Sequence, residues 1–258
     1  MSGLLLRLAG PLQSWGERSA FTPVRETAFF PTRSALVGMF AAAEGITRAD
    51  VAGLKKYEQV RLTVRVDRPG ILLEDYHTVG GGFPKERTAA TSGGSNKDAA
   101  VITRRQYLSD AVFVVAVTAP DRLAEQIASA LRRPCWAPYL GRRSCAPDEP
   151  FLLRRHVDNP EAELLTGVPL TAPEPREHEA ETIAVQFLRE SPLPEGRPGA
   201  AADVIEINDM PVSFAQHGRA HTGRRLYRTI EPVSRALTGP RKTLLTRLID
   251  YTHAEERA

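Results

Sequence analysis

The chain has 258 residues, 42% hydrophobic and 25% charged, with 34 basic against 31 acidic side chains. That suits one large globular domain, or a domain carrying an insertion, with enough length to bury a core. A net charge of +3 excludes a histone-like polycation, and no apolar run approaches the roughly 18 residues of a membrane span.

The opening MSGLLLRLAG is too short, and too interrupted by Arg7, for a signal peptide, so a cytoplasmic protein without membrane contact is expected. Within it, residues 4–10 read as a short strand, followed by the Gly/Pro-bounded loop GPLQSWG. A helix follows in FPTRSALVGMFAAAEG. Thr32 or Ser34 is the cap, Leu36, Met39, Phe40 and Ala43 form one buried stripe, and Gly45 is the stop. In VRLTVRV (60–66), Val60, Leu62, Val64 and Val66 alternate with Arg61, Thr63 and Arg65, which predicts a half-buried strand. AVFVVAVT (111–118) is a continuous β-branched run and predicts a central strand. The stretch 120–133 predicts a second helix capped by Asp121, with Leu123, Ile127, Ala130 and Leu131 inward, and FLLRRHV (151–157) a fourth strand.

Strand–helix–strand twice over is the split βαβ plan of ferredoxin-like and RRM-like folds, α+β with an antiparallel sheet and helices on one face. Its open face is where such domains commonly hold single-stranded RNA. Between the second and third strands lies a long polar, glycine-rich insertion, 74–110, whose β-forming flanks predict a protruding hairpin. Residues 159–181 are Pro/Glu-rich and read as irregular; further strands are expected in TIAVQFL, DVIEIND and RRLYRTIE. The end is expected to form a short amphipathic helix with Leu244, Leu245, Leu248 and Ile249 inward.

The motifs for catalysis are weak. VGGGFPKE lacks a following GK[ST] and is not a phosphate-binding P-loop. His77 beside Tyr76, with Lys85 and Lys97 nearby, offers an alternative catalytic group for a metal-independent ribonuclease, which needs one base and one acid. His217 and His221 lack a carboxylate ligand pattern, and Cys135 and Cys145 form no CxxC pair, so neither metal nor cofactor is expected and both thiols are expected free.

Binding motifs are stronger. Lysine occurs only at Lys55, Lys56, Lys85, Lys97 and Lys242, so the positive charge is nearly all arginine, which forks onto phosphate and stacks on rings. Aromatic and basic residues meet at Tyr76 with His77, at Arg104 and Arg105 with Tyr107, and at Tyr139 with Arg142 and Arg143. On a split βαβ plan these point to RNA. The helix start at Arg33 and Ser34 adds free amides for a phosphate, while Trp15 reads as a loop anchor more than a base platform.

The ordered set LRLAGPLQSWG, FPTRSALVG, DYHTV, RRQYLSDAVFVVAV and APYLGRRSCAPDEPF resembles the Cas-five family of the RAMP superfamily, as found in type I-E CRISPR Cascade complexes (CasD-like subunits). The match runs through residue 157 and more loosely to 235. The resemblance implies a RAMP palm over 1–73 and 111–235 with additional C-terminal strands, a thumb at 74–110, and a tail at 236–258 without assigned counterpart. It implies a non-catalytic subunit that caps the crRNA 5′ handle, touches the backbone subunit CasC and the large subunit CasA, and meets target DNA only through the complex. Tyr139, Arg142 and Arg143 are then expected at the handle, Arg104, Arg105 and Tyr107 at the thumb base with Tyr76 and His77 beyond, and Ser14, Trp15, Arg33 and Ser34 on the other flank. A sister subtype cuts precursor RNA with a Tyr, Lys and His group; no Lys–His pair stands here. A third class, an adaptor touching only protein, completes the alternatives.

Overall fold

The structure, a computed structural model, describes residues 1–16, 23–80, 84–87, 100–171, 181–194, 203–215 and 218–254. In chain order these build β1 (Ser2–Ala9), β2 (Leu12–Gln13), β3 (Val24–Arg25), α1 (Arg33–Ala43), α2 (Val51–Leu54), β4 (Arg61–Arg68), β5 (Ile71–Val79), β6 (Val101–Ser109), β7 (Val112–Ala119) and α3 (Asp121–Arg132). There follow β8 (Leu152–Val157), α4 (Pro160–Thr166), β9 (Thr182–Arg189), β10 (Asp203–Ser213), β11 (Ala220–Ser234) and α5 (Leu244–His253). No helix among the described residues is long and apolar enough to cross a membrane.

Seven strands pair antiparallel in the order β10–β11–β9–β4–β7–β1–β8, giving a mixed α+β architecture. The continuous run of β7 lies inside the sheet, as expected: it pairs β1 on one edge and β4 on the other. A second sheet is the hairpin β5–β6, with β2 and β3 in series along the far edge of β6. The chain leaves the large sheet through Gly70 (φ +77°) and returns through Asp110 (φ +56°). Both are corner positions where a left-handed residue reverses the strand direction.

The expectation of helices on one face is corrected. Strand β7 is apolar on both sides, and each side needs a cover. Phe113, Val115 and Val117 pack with Leu36 and Phe40 of α1 and Leu123 and Ile127 of α3. Val114 and Ala116 pack with Leu164 of α4, Val168, Leu170 and Leu248 of α5. No open platform for RNA remains over the middle of the sheet.

Strand β4 shows the same correction in detail. Thr63 and Arg65, expected outward, are buried. Arg65 is wholly enclosed; it pairs with Asp67 and donates to the carbonyls of Leu164 (2.5 Å), Val168 (3.1 Å) and Pro169 (3.1 Å). Helix ends leave carbonyls unsatisfied, and one guanidinium with five donors closes the end of α4. The stretch read as irregular thus contains a helix. Its signal was present: Asn159 caps the amide of Ala162, and Pro160 occupies the first turn.

Three smaller readings also change or hold. Helix α1 ends as expected at Gly45 (φ +77°), with Ile46 N–H on the Ala41 carbonyl (2.8 Å) and Gly45 N–H on Ala42 (3.1 Å), the paired bonds of a Schellman stop. The N-cap of α3 is Pro120, with Asp121 already inside the first turn. In α5, Leu248 is buried but Leu245 and Ile249 face outward. Leu248→Ala is therefore expected to cost about 2–5 kcal/mol. Leu245→Ala should cost about 0.5 kcal/mol or less. Urea unfolding of the two variants checks the docking of α5.

Candidate nucleic-acid interface

The root of the β5–β6 hairpin is braced from two sides. Ser14 donates its backbone N–H to the Leu140 carbonyl (3.0 Å) and its hydroxyl to the Gln106 carbonyl (3.0 Å). This ties the loop after β2 both to β6 and to the turn 139–145. The turn is closed by Leu140 N–H on Cys145 O (2.7 Å) and Cys145 N–H on Arg142 O (2.8 Å). Gly141, at φ +85°, lets the turn pass so close to the Ser14 carbonyl that a Cβ there would sit 1.7 Å from its oxygen. The Cys145 thiol is buried under the turn and pushed up in pKa by that burial; Cys135 is exposed, and both are free.

Arg142 folds back over this root. Its guanidinium lies 4.5 Å from the Tyr107 ring centre and donates through Nη2 to the Arg25 carbonyl (3.0 Å). Its Nη1 is buried with no hydrogen-bond partner among the described residues. Arg25 pairs directly beside Arg105 in the parallel β3–β6 register, and Arg105 Nε is steadied by Thr103 Oγ1 (3.2 Å). Arg143 next to Arg142 is exposed, and Tyr139 is half-buried. The turn and the strand so gather Arg105, Tyr107, Tyr139, Arg142 and Arg143 with Ser14 as the brace. Tyr107 itself is 6% exposed, and Arg142 covers its ring; it presents an arginine, not a bare base platform. Arg25 was missed by the sequence reading. Its place depends on a two-residue parallel pairing that leaves no periodic signal.

Further along the hairpin, Tyr76 is paired opposite Arg104 and His77 opposite Thr103. Tyr76 is 63% exposed. Arg104 lies 3.5 Å from Glu74, and His77 Nδ1 3.5 Å from Asp75. Adjacent strand residues point to opposite faces, so Tyr76 and His77 do not converge on one reacting atom. Lys97 and the Lys85 side chain lie outside the described residues.

The other expected flank is not a surface. Trp15 is wholly buried, with Nε1 on Gln13 Oε1 (3.2 Å). Arg33 is 2% exposed: Nη1 meets Glu190 (2.7 and 2.9 Å) and Nη2 the carbonyls of Tyr57 (2.7 Å) and Val60 (2.9 Å). The amide that was to bind phosphate donates instead to Asp209 Oδ2 (2.6 Å), and Arg224 closes the cluster on Asp209 and Glu190. Ser34 is buried beside Thr32 (3.4 Å between hydroxyls), and Thr32 caps α1 without a side-chain bond. A protein carboxylate already occupies the anion position at this helix start.

Among the described residues, no cluster of three or more His, Cys, Asp and Glu side chains could hold a metal ion. His217 lies outside them; His221 has a buried Nε2 without partner there, and burial lowers its pKa.

The chain is thus α+β, a seven-stranded antiparallel sheet joined to a hairpin sheet whose root carries an arginine stacked on a tyrosine. The model of the CRISPR-associated protein (Cas_Cas5) family matches residues 3–227, and the chain belongs to that family. It is 37% identical over 182 residues to the CRISPR system Cascade subunit CasD of Escherichia coli (strain K12), across 66% of this chain and 78% of the relative. It is also similar to a chain of a solved CRISPR RNA-guided surveillance complex, at 44% identity and a TM-score of 0.84 over 97% of this chain and 99% of that one. A crystal structure of a Cas protein matches at 30% identity and a TM-score of 0.58 over 92% and 97% of the two chains.

Proposed function

We propose that the chain is a non-catalytic, crRNA-binding subunit of a type I-E CRISPR RNA-guided surveillance complex, acting in antiviral defence. It grips and caps the 5′ handle of the crRNA, contacts a CasC-type backbone subunit and a CasA-type large subunit, and reaches target DNA only through the assembly. In this reading β8–β1–β7–β4 with α1 and α3 is the ferredoxin-like palm, its boundaries at 1–73 and 111–235. The segment 74–110 is the thumb, and 236–258 is a tail that seals the palm through Leu248. The observation that carries it is Arg142: stacked on Tyr107, tied to Arg25, and left with a buried donor that no described group satisfies. A buried donor without a partner costs free energy that a phosphate or base-edge acceptor removes. The surveillance-complex chain at 44% identity and the CasD relative at 37% support the same assignment. Arg105, Arg143 and Tyr139 line the same root, while Tyr76, His77 and Arg104 meet RNA along the hairpin.

The test is repeat RNA with the purified chain in EDTA, scored for binding and cleavage across a salt series. Binding without cleavage is expected. Arg142→Ala/Arg143→Ala is expected to weaken binding by about 10- to 100-fold. The salt slope of log K should become shallower by about 1.4, at roughly 0.7 per phosphate contact on a single strand. Unchanged affinity and slope would refute the clamp. A discrete cut lost on His77→Ala would instead establish the endoribonuclease alternative, against the divergent placement of Tyr76 and His77.

A further inference from the structure

The end of α3 carries an aromatic and two cations that neither the fold nor the hairpin root uses. Arg132 and Arg133 close the helix and are exposed, and neither makes an ion pair or hydrogen bond through its side chain among the described residues. Three residues on, Trp136 is 50% exposed, whereas the chain's other tryptophan, Trp15, is wholly buried. Trp136 is not a loose loop side chain. Its N–H donates to the Ala42 carbonyl (3.3 Å), and the Cys135 N–H to that of Ala43 (2.9 Å), so the backbone is pinned to the last turn of α1. Cys135 packs against Gly45, where a Cβ would lie 3.3 Å from its sulfur. The backbone that carries the half-exposed Trp136 is thus fixed to α1. An exposed tryptophan is costly to hydrate, and one carried on a pinned backbone close in sequence to two exposed arginines matches a stacked base and its phosphates.

The position extends the site already described. Tyr139 follows Trp136 by three residues, a reach of about 10 Å at most. Arg142 and Arg143 begin three residues further on. Trp136, Tyr139 and the Arg142–Arg143 pair thus follow one another at three-residue steps along one stretch of chain.

We infer that Trp136 is a stacking platform for one unpaired base of bound single-stranded RNA, with Arg132 and Arg133 on the flanking phosphates. The inference rests on the RNA-binding reading above and names a subsite beyond the hairpin root. Charge selects the occupant: two exposed arginines three and four residues before the ring, with no ion pair among the described residues, favour a polyanion over an apolar protein surface.

Only two tryptophans are present, and only Trp136 is accessible, so acrylamide quenching of the full chain reports Trp136. Repeat RNA is expected to quench this emission and shield it from acrylamide. Trp136→Ala is expected to lower RNA affinity roughly 5- to 100-fold, as loss of one stacked base does. Trp136→Phe retains most of the affinity, and Arg132→Ala/Arg133→Ala makes the salt slope shallower by about 1.4. Thermal melting of Trp136→Ala separates loss of stacking from loss of fold; an unchanged melt is expected. RNA binding that depends on Arg142 and Arg143 while Trp136 stays open to acrylamide overturns this inference and leaves the functional reading intact. Shielding by a partner subunit and not by RNA also overturns it. Absence of any RNA binding overturns both.

Discussion

Arg33→Ala is expected to destabilise the protein by about 3–5 kcal/mol while leaving RNA affinity of the folded molecule unchanged. Arg33 and Arg224 together neutralise Glu190 and Asp209, all but enclosed between α1 and the β9–β11 edge. Deleting one guanidinium leaves two carboxylates on one cation and takes Nη2 from the carbonyls of Tyr57 and Val60, of which Tyr57 keeps the Val60 N–H (3.1 Å). The melting temperature should fall by about 6–20 °C, at roughly 2–4 °C per kcal/mol for a chain of this size. Arg33→Lys should recover only part, because a single ammonium cannot hold a bidentate carboxylate and two carbonyls together. Urea unfolding and an RNA titration well below the transition read the two effects separately. A variant of normal stability with RNA affinity reduced as in Arg142→Ala/Arg143→Ala would return Arg33 to the RNA surface.

Gly141→Ala should disable the arginine turn through geometry alone. At φ +85° an L side chain is strained, and its Cβ would lie 1.7 Å from the Ser14 oxygen and 2.7 Å from its carbonyl carbon. The backbone has no slack, since Ser14 N–H and Leu140 O are already bonded at 3.0 Å. The combined cost is about 2–5 kcal/mol, from the left-handed conformation and the overpacking. The turn must move away from Ser14, carrying Arg142 off Tyr107, so RNA affinity should fall with stability. Gly218→Ala is the control. Its φ is +99° with nothing within 4 Å of the added Cβ, and it should show only the conformational part, about 1–2 kcal/mol. Equal losses in the two variants would show that the Ser14 contact yields without consequence.

The readable parts of the fold were those where one residue type repeats at one period. The apolar stripe of α1, the run in β7 and the hairpin flanks of 74–110 all stand where their spacing places them. The misread parts share a cause. Alternation in β4 assigned Thr63 and Arg65 to water, but α4 covers that face, and Arg65 is the group that fastens it. Leu245 and Ile249 continue an apolar pattern past the stripe that α5 can bury, since only Leu248 meets the sheet fully. The motif at the start of α1 had the residue types of an anion cradle, and the anion proved to be Asp209.

By itself the sequence determined the strongly periodic elements, the arginine-rich character and the family, because these are local: they are written in periodicity and in short ordered motifs, whereas α4 and the short strand β3 were not read. Tertiary structure alone decided which arginines are structural and which face outward. Arg33 and Arg65 look no different from Arg142 and Arg143 along the chain. Arg33 finds its carboxylate 157 residues away, and Arg65 its carbonyls 99 to 104 residues away. Among the described residues Arg142 meets a ring and one carbonyl and no carboxylate, and Arg143 beside it is exposed. A guanidinium is a strut or a ligand hand according to what the folded chain brings within about 3 Å of it, and that distance is not written in any local pattern.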